Sequence, residues 1–230
     1  MAARDMSWLD AQRLTIMVGF SGSGKTECSV NLALALRDLG HSTALADLDV
    51  VNPYFRSRER RELLAERGIR LVTSSPIHAE ADLPSMPAEL NTLLENQSLY
   101  SILDIGGGTA GARVLARYYP KLSSQPHRVC FVLNARRPGT NTAEKALDSL
   151  RQIQTTIGLP ATHIIHNSHL CGETTPEDIL SGADLAHQVS RASGLPILCH
   201  TADSRLIDDI PDLGEPVFPI QIYMNKPWEV

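Results

Sequence analysis

Lysine is scarce in this chain. Of 21 basic residues only Lys25, Lys121, Lys145 and Lys226 are lysine and the others are arginine, so the placement of each lysine carries weight. A basic excess is also missing. With 21 basic against 26 acidic side chains the formal net charge is −5, which excludes binding driven by wholesale phosphate neutralisation. No nucleic-acid partner is expected, although a local basic patch stays open. Paired cysteines are lacking too: Cys28, Cys130, Cys171 and Cys199 stand far apart with no Cys-x-x-Cys, so neither a zinc ribbon nor a local iron–sulfur motif is written here. Cys28, Cys130 and Cys199 have apolar neighbours and read as small core residues. No apolar run approaches the ~18 residues of a membrane span. Residues 1–12 carry Arg4, Asp5 and Asp10 and no unbroken apolar stretch, so they read as an N-terminal extension and not a signal peptide. A soluble, cytoplasmic protein is the expectation.

What is present suits an ordinary core. The 230 residues are 43% apolar and 20% charged, which fits a single domain over 1–230 and excludes wholesale disorder. Short apolar runs at 14–18, 43–46, 69–73, 100–105, 128–133, 162–165 and 195–199 are rich in Ile, Val and Leu at successive positions. Continuous runs of this kind are what strands covered on both faces require. Helix candidates fall between them at 24–39, 57–67, 109–119, 139–158 and 176–193, with Gly40, Gly68, Gly158 and Gly194 placed to end four of them. The alternation predicts an α/β fold of three layers around a mainly parallel central sheet. Residues 74–98, with Pro76, Pro84 and Pro87, read as an irregular insertion or lid-like connection.

The first strand candidate runs into Gly19-Phe20-Ser21-Gly22-Ser23-Gly24-Lys25-Thr26, which fits G-x-x-x-x-G-K-[ST] at every fixed position. Its glycines let successive backbone N–H groups turn inward around phosphate oxygens, Lys25 reaches the β and γ phosphates, and the Thr26 hydroxyl suits Mg²⁺. By this chain's own residue frequencies such a match arises by chance about 0.2% of the time. A strand before the loop and an amphipathic helix after it agree with a phosphate-binding loop, and Ser21, Gly22, Ser23, Gly24, Lys25, Thr26 and Glu27 are the candidate nucleotide contacts. Two acids, Asp47 and Asp49, follow the second strand candidate at the edge where ligands sit in open α/β sheets. Asp104 ends a third apolar run and precedes Ile105-Gly106-Gly107-Gly108, a Walker-B-type pattern in which the acid holds Mg²⁺. The competing reading of each acid is a helix cap or a turn residue.

In order and spacing the loop, Asp47-Leu48-Asp49 and Asp104-Ile105-Gly106-Gly107 resemble the MinD/ParA-like (CobQ/CobB/MinD/ParA) ATPases, SIMIBI-class P-loop proteins. The strings from Asp47 to Glu59, Gly172 to Leu180 and Tyr223 to Glu229 are similar to a bacterial ATP-binding subfamily of that group. The resemblance implies a P-loop NTPase fold, ATP and Mg²⁺ as ligands, Asp49 as the switch aspartate that positions the attacking water, and Asp104 with Thr26 and Asp47 around the metal. It implies further that Asn167 faces adenine, with Asn134 as a weaker candidate near the nucleotide. One departure stands out. The second lysine with which these ATPases bridge a dimer is replaced by Phe20, so a nucleotide-dependent homodimer would need another cation. Arg56, Arg58, Arg60 and Arg61 offer one, against a solvated helix face as the plainer reading.

Other patterns are weaker. His163, His166, His169 and Cys171 invite a metal reading, but side chains three apart on a strand point to opposite faces, so loop and core-edge histidines are expected instead. Pro176 with Glu177 and Asp178 behind it marks a helix start. No Asn-Lys-x-Asp guanine motif follows the late strands, which favours ATP over GTP. The expected function is an ATP-driven switch, a slow Mg²⁺-dependent ATPase read by a partner protein. The alternative is an ATP-dependent small-molecule kinase or ligase, and a metal-cluster carrier loses ground with no Cys-x-x-Cys present.

Overall fold

The structure is a computed structural model that describes residues 6–49, 60–73, 88–107, 113 and 115–224. Eight strands form one sheet: β1 (Leu14–Val18), β2 (Thr43–Leu48), β3 (Arg70–Thr73), β4 (Tyr100–Ile105), β5 (Arg128–Leu133), β6 (His163–His166), β7 (Ile197–Asp203) and β8 (Val217–Ile220). Their spatial order is β3-β2-β4-β1-β5-β6-β7-β8, and every neighbouring pair is parallel. The described helices are α1 (Lys25–Asp38), α2 (Arg61–Glu66), α3 (Ala88–Glu95), α4 (Tyr119–Ser123), α5 (Ala143–Ile157) and α6 (Pro176–Ser193).

Alternation along the central strands explains why their sequences are apolar throughout. On β5, Val129, Phe131 and Leu133 enter the core beneath α3, α5 and α6, whereas Cys130 and Val132 enter the core beneath α1. Neither face meets water, so no polar stripe is needed. Cys28, Cys130 and Cys199 lie in the second of these cores as expected, and burial pushes the Cys130 thiol up to about 11, leaving it inert.

Local signals set the helix ends. Thr175 and Asp178 form a reciprocal capping box ahead of α6, with Pro176 in its first turn, and Gly158 and Gly194 close α5 and α6 with φ of 72° and 75°. Several boundaries differ from the sequence expectation. β7 runs on to Asp203, β6 is shifted one residue later, and β8 was not foreseen, because its four residues include Pro219 and carry too little pattern. Within 74–98, taken above as irregular, Ala88–Glu95 is a helix whose Leu90, Leu93 and Leu94 are buried; the rest of that stretch before Ala88 lies outside the described residues. Residues 109–112 and 114 of the 109–119 helix candidate do too.

Candidate functional site

The loop between β1 and α1 is held by its glycines and by three neighbouring segments. Gly24 takes a left-handed φ of 86°, and a side chain there would collide with the Asn167 amide and lie 2.9 Å from His169 Nε2. Only glycine fits. The chain therefore enters α1 with its first N–H groups directed at the loop, where phosphate oxygens can use them. Lys25 is buried, and its ammonium donates to the Phe20 carbonyl at 3.0 Å.

Strand pairing brings the acids to this loop. β4 lies between β1 and β2, with Asp104 opposite both Met17 and Asp47, so the carboxyl ends of the three strands come together. The Thr26 hydroxyl donates to Asp104 Oδ2 at 2.7 Å, and the Asp49 N–H donates to Asp47 Oδ1 at 3.2 Å. Beyond β4 the backbone runs tight against both neighbours. A Cβ on Gly106 would sit 2.7 Å from Asp49 Oδ1, and one on Gly107 would sit 2.7 Å from the Ser21 Cα. Thus the segments after β2 and β4 touch each other and the phosphate loop.

Three buried carboxylates face one buried ammonium. Burial raises the Asp104 pKa to about 7, with the Asp47 charge adding to the rise and the Thr26 hydrogen bond and Lys25 opposing it. Burial likewise lowers the Lys25 pKa, against the pull of Asp104 and Asp49. Asp104 Oδ1 is buried with no hydrogen-bond partner among the described residues. A hard divalent cation fits such a set. The Thr26 hydroxyl and the Asp104 and Asp47 carboxylates are oxygen donors of the kind Mg²⁺ takes, and its charge would offset the burial and the Asp47 charge that raise the Asp104 pKa.

Two predicted nucleotide residues turn their side chains elsewhere. Asn167 is fully buried; its amide donates to the Ser23 carbonyl at 2.7 Å and its oxygen accepts from the Thr201 hydroxyl on β7, so it braces the phosphate loop against the sheet. Glu27 accepts from the Tyr223 and Met224 N–H groups at 2.7 and 3.1 Å, while Asn31 pairs with both the N–H and the carbonyl of Gln221. Together they dock the segment after β8 onto α1. Asn134 is buried and bonds the His169 carbonyl and the Arg136 N–H, holding the loops after β5 and β6 together. Phe20, where the bridging lysine would stand, lies with its ring against Gly139. Arg56 and Arg58 lie outside the described residues; Arg61 opens α2 and is exposed.

Sequence reasoning missed two neighbours of the loop. Arg137, after β5, donates from Nε to the Gly22 carbonyl at 2.6 Å, a cation at the loop rim supplied by a distant segment. His169 sits against Gly24, and burial lowers its pKa to about 4, so it is neutral. Arg137 belongs to no motif and His169 only to the histidine series discounted above, and the strand order brings them here. Nearby, a cleft of about 450 Å³ opens between Cys171-Gly172, Asp203-Ser204-Arg205 and Gln221-Met224, with Arg60 at its side. This size suits a small-molecule site. Its one acid among the described lining residues, Asp203, is paired with Arg205 through both carboxylate oxygens.

A parallel sheet with a glycine loop, lysine and Walker-B acid at its carboxyl edge defines a nucleotide-binding P-loop domain of the SIMIBI class. Residues 14–175 match the family described as the CobQ/CobB/MinD/ParA nucleotide binding domain, and the chain belongs to that family. Solved structures share the fold. FtsY of Thermotoga maritima is 21% identical over 82% of this chain and 61% of that one, with a TM-score of 0.55. Chloroplast FtsY of Physcomitrella patens is 20% identical over 91% and 61%, with a TM-score of 0.57. The signal recognition particle receptor FtsY of Elizabethkingia anophelis, in complex with GDP, is 15% identical over 82% and 56%, with a TM-score of 0.50. This chain therefore spans roughly three fifths of the length of those proteins. No curated protein matches it. Among the described residues no helix is long and apolar enough to cross a membrane.

Proposed function

We propose that the protein binds ATP with Mg²⁺, hydrolyses it slowly, and works as a nucleotide-driven switch. The observation that carries this reading is the contact between the segments after β2 and β4 and the phosphate loop, with Asp49 against Gly106 and Gly107 against Ser21. A terminal phosphate arriving at that junction must engage or displace both segments, and its loss must release them, which is how a γ phosphate becomes a conformational signal.

The residues divide the work. Lys25 leaves the Phe20 carbonyl for the β and γ phosphates, and the backbone of Ser21 to Thr26 cradles them. Thr26, Asp104 and Asp47 hold the cation, which neutralises phosphate charge when bound. Asp49, at the end of β2, orients the attacking water. The cleft beside His169 takes the nucleoside, and Asn167 keeps the loop in register from behind. Adenine is favoured over guanine because the guanine N1–H and amino group call for an uncommitted carboxylate, while Asp203 is already paired with Arg205. FtsY of Elizabethkingia anophelis is a GDP complex, so both nucleotides belong in the test. A partner protein reads the ordered loops, or two copies do so as a nucleotide-dependent homodimer, and the ATP supply places the protein in the cytoplasm.

The deciding experiment measures ATP and GTP hydrolysis, with gel filtration in each nucleotide state. Slow Mg²⁺-dependent release of phosphate from ATP is expected, abolished by Lys25→Ala and reduced by about 10²-fold or more by Asp49→Ala with binding retained. Stoichiometric transfer of the phosphoryl group to a metabolite would instead make the protein a kinase or ligase and end the switch reading.

A further inference from the structure

Outside the nucleotide site lies a second cluster, on the far side of the Asn167 brace. His187 of α6, His200 of β7 and Glu215 before β8 bring their ligating atoms to within 4.8 Å of one another. His187 Nε2 lies 2.9 Å and His200 Nε2 3.1 Å from the same carboxylate oxygen, Glu215 Oε2. Behind them His200 Nδ1 meets His166 Nδ1 of β6 at 2.9 Å, and both of these rings are fully buried. Of the His163, His166, His169 and Cys171 series in the sequence only His166 takes part, and the other members lie at 187, 200 and 215 on separate segments.

Proton bookkeeping makes the cluster unusual. Without a cation, Glu215 requires a hydrogen on the Nε2 of each facing ring; His200 Nδ1 is then bare and His166 must donate to it. That leaves His166 Nε2 a bare lone pair, buried and without a partner. With a cation at the carboxylate, His200 instead ligates through Nε2 and donates Nδ1–H to His166, the outer hydrogen bond that a metal-bound imidazole normally makes, and the hydrogen of His166 then moves to its Nε2, which lacks a partner among the described residues in either tautomer.

We propose that His187, His200 and Glu215 form a binding site for a zinc-type divalent transition-metal ion, with His166 as the outer partner that fixes the His200 tautomer. Two imidazoles and one carboxylate are the donor set of an open three-ligand zinc site, whereas Mg²⁺ prefers oxygen alone. Bonds of about 2.0–2.1 Å in tetrahedral array separate ligand atoms by about 3.3 Å, so the two edges to Glu215, at 2.9 and 3.1 Å, need widening by a few tenths of an ångström, and the two ring nitrogens lie within 4.8 Å of each other. His187 and Glu215 are each about a third exposed, which gives the ion an entry path and a water for its fourth position. The site also abuts the nucleotide machinery, for His166 and His200 immediately precede Asn167 and Thr201, the pair that braces the phosphate loop.

The test uses the untagged full chain, treated with chelator and held in excess Mg²⁺. Zn²⁺ is titrated in competition with a chromophoric chelator, and Co²⁺ is followed by its visible spectrum. One equivalent of each ion is expected, the Co²⁺ spectrum having the intensity of a four- or five-coordinate site. His187→Gln and Glu215→Gln, both at half-buried positions that tolerate a polar side chain, should each weaken Zn²⁺ binding by at least about 10-fold. His41→Gln, a histidine elsewhere that also faces an acid, should leave it unchanged. Zn²⁺ affinities of the two cluster variants within twofold of the parent, or a six-coordinate Co²⁺ spectrum unaffected by them, would overturn the proposal.

Discussion

Replacing the Walker-B acid should make the ligand-free protein more stable. A carboxyl whose pKa is raised by folding binds its proton more tightly in the native state than in the unfolded chain. The stability this lends at low pH is therefore lost as pH rises from the unfolded value of 3.8 through about 7. Integrated to pH 8, the shift of Asp104 costs about 4 kcal/mol, and at pH 5 under about 2 kcal/mol. Asp104→Asn removes the charge while its side-chain oxygen still accepts from Thr26. In chelator, thermal melts from pH 5 to 8 should show the variant gaining on the parent as pH rises. At roughly 2–4 °C per kcal/mol for a chain of this size, the gain at pH 8 is on the order of 10 °C. Mg²⁺ with nucleotide should stabilise the parent and not the variant, because the cation loses an anionic ligand. A variant no more stable than the parent at pH 8, or a gain independent of pH, would refute the account of Asp104 as an acid raised by burial and by its carboxylate neighbours.

Two other substitutions test how the site is held. Glu27→Gln replaces one acceptor oxygen by an NH₂ that faces a backbone N–H of Tyr223 or Met224, leaving a buried donor unmet at about 1–3 kcal/mol. Its melting temperature should fall by roughly 2–10 °C, and hydrogen exchange should quicken at those two amides first. Unchanged exchange there would mean that Glu27 does not anchor the segment. Arg137→Ala removes the cation bonded to Gly22 at the loop rim. Affinity for a fluorescent ATP analogue should fall about 5-fold, roughly 1 kcal/mol for a solvent-facing charge–phosphate contact, with less effect on the nucleoside; equal affinities would remove Arg137 from the phosphate site.

The central strands were readable from sequence because burial on both faces imposes a pattern that survives in one dimension. β1, β4 and β5 fall where the apolar runs at 14–18, 100–105 and 128–133 lie. The phosphate loop was equally readable, since a fixed spacing of glycine, lysine and threonine is itself the backbone geometry. Contacts made by sheet order were not. Arg137 reaches Gly22 across 115 residues, and Asn167 reaches Ser23 across 144, with no local pattern to mark either. The histidines illustrate the same limit. Spacing alone argued against convergence of His163, His166 and His169, while the partners of His166 lay on two elements that no spacing rule connects to it.

The energetics and the connectivity of the site point the same way. An acid kept half-protonated at neutral pH beside two other carboxylates is costly in the empty protein, and the cost falls on the segments after β2 and β4 that carry those acids. A proton or a cation relieves it: Lys25 is one cation at hand, and its ammonium is bonded to the Phe20 carbonyl. On the proposed function, nucleotide binding with a divalent ion would do two things at once, neutralising the acids and moving the lysine, so that the free energy of binding would be coupled to the conformation of both segments. A site designed only for tight storage of nucleotide would gain nothing from that repulsion. A switch of the kind proposed would draw its differential affinity from it.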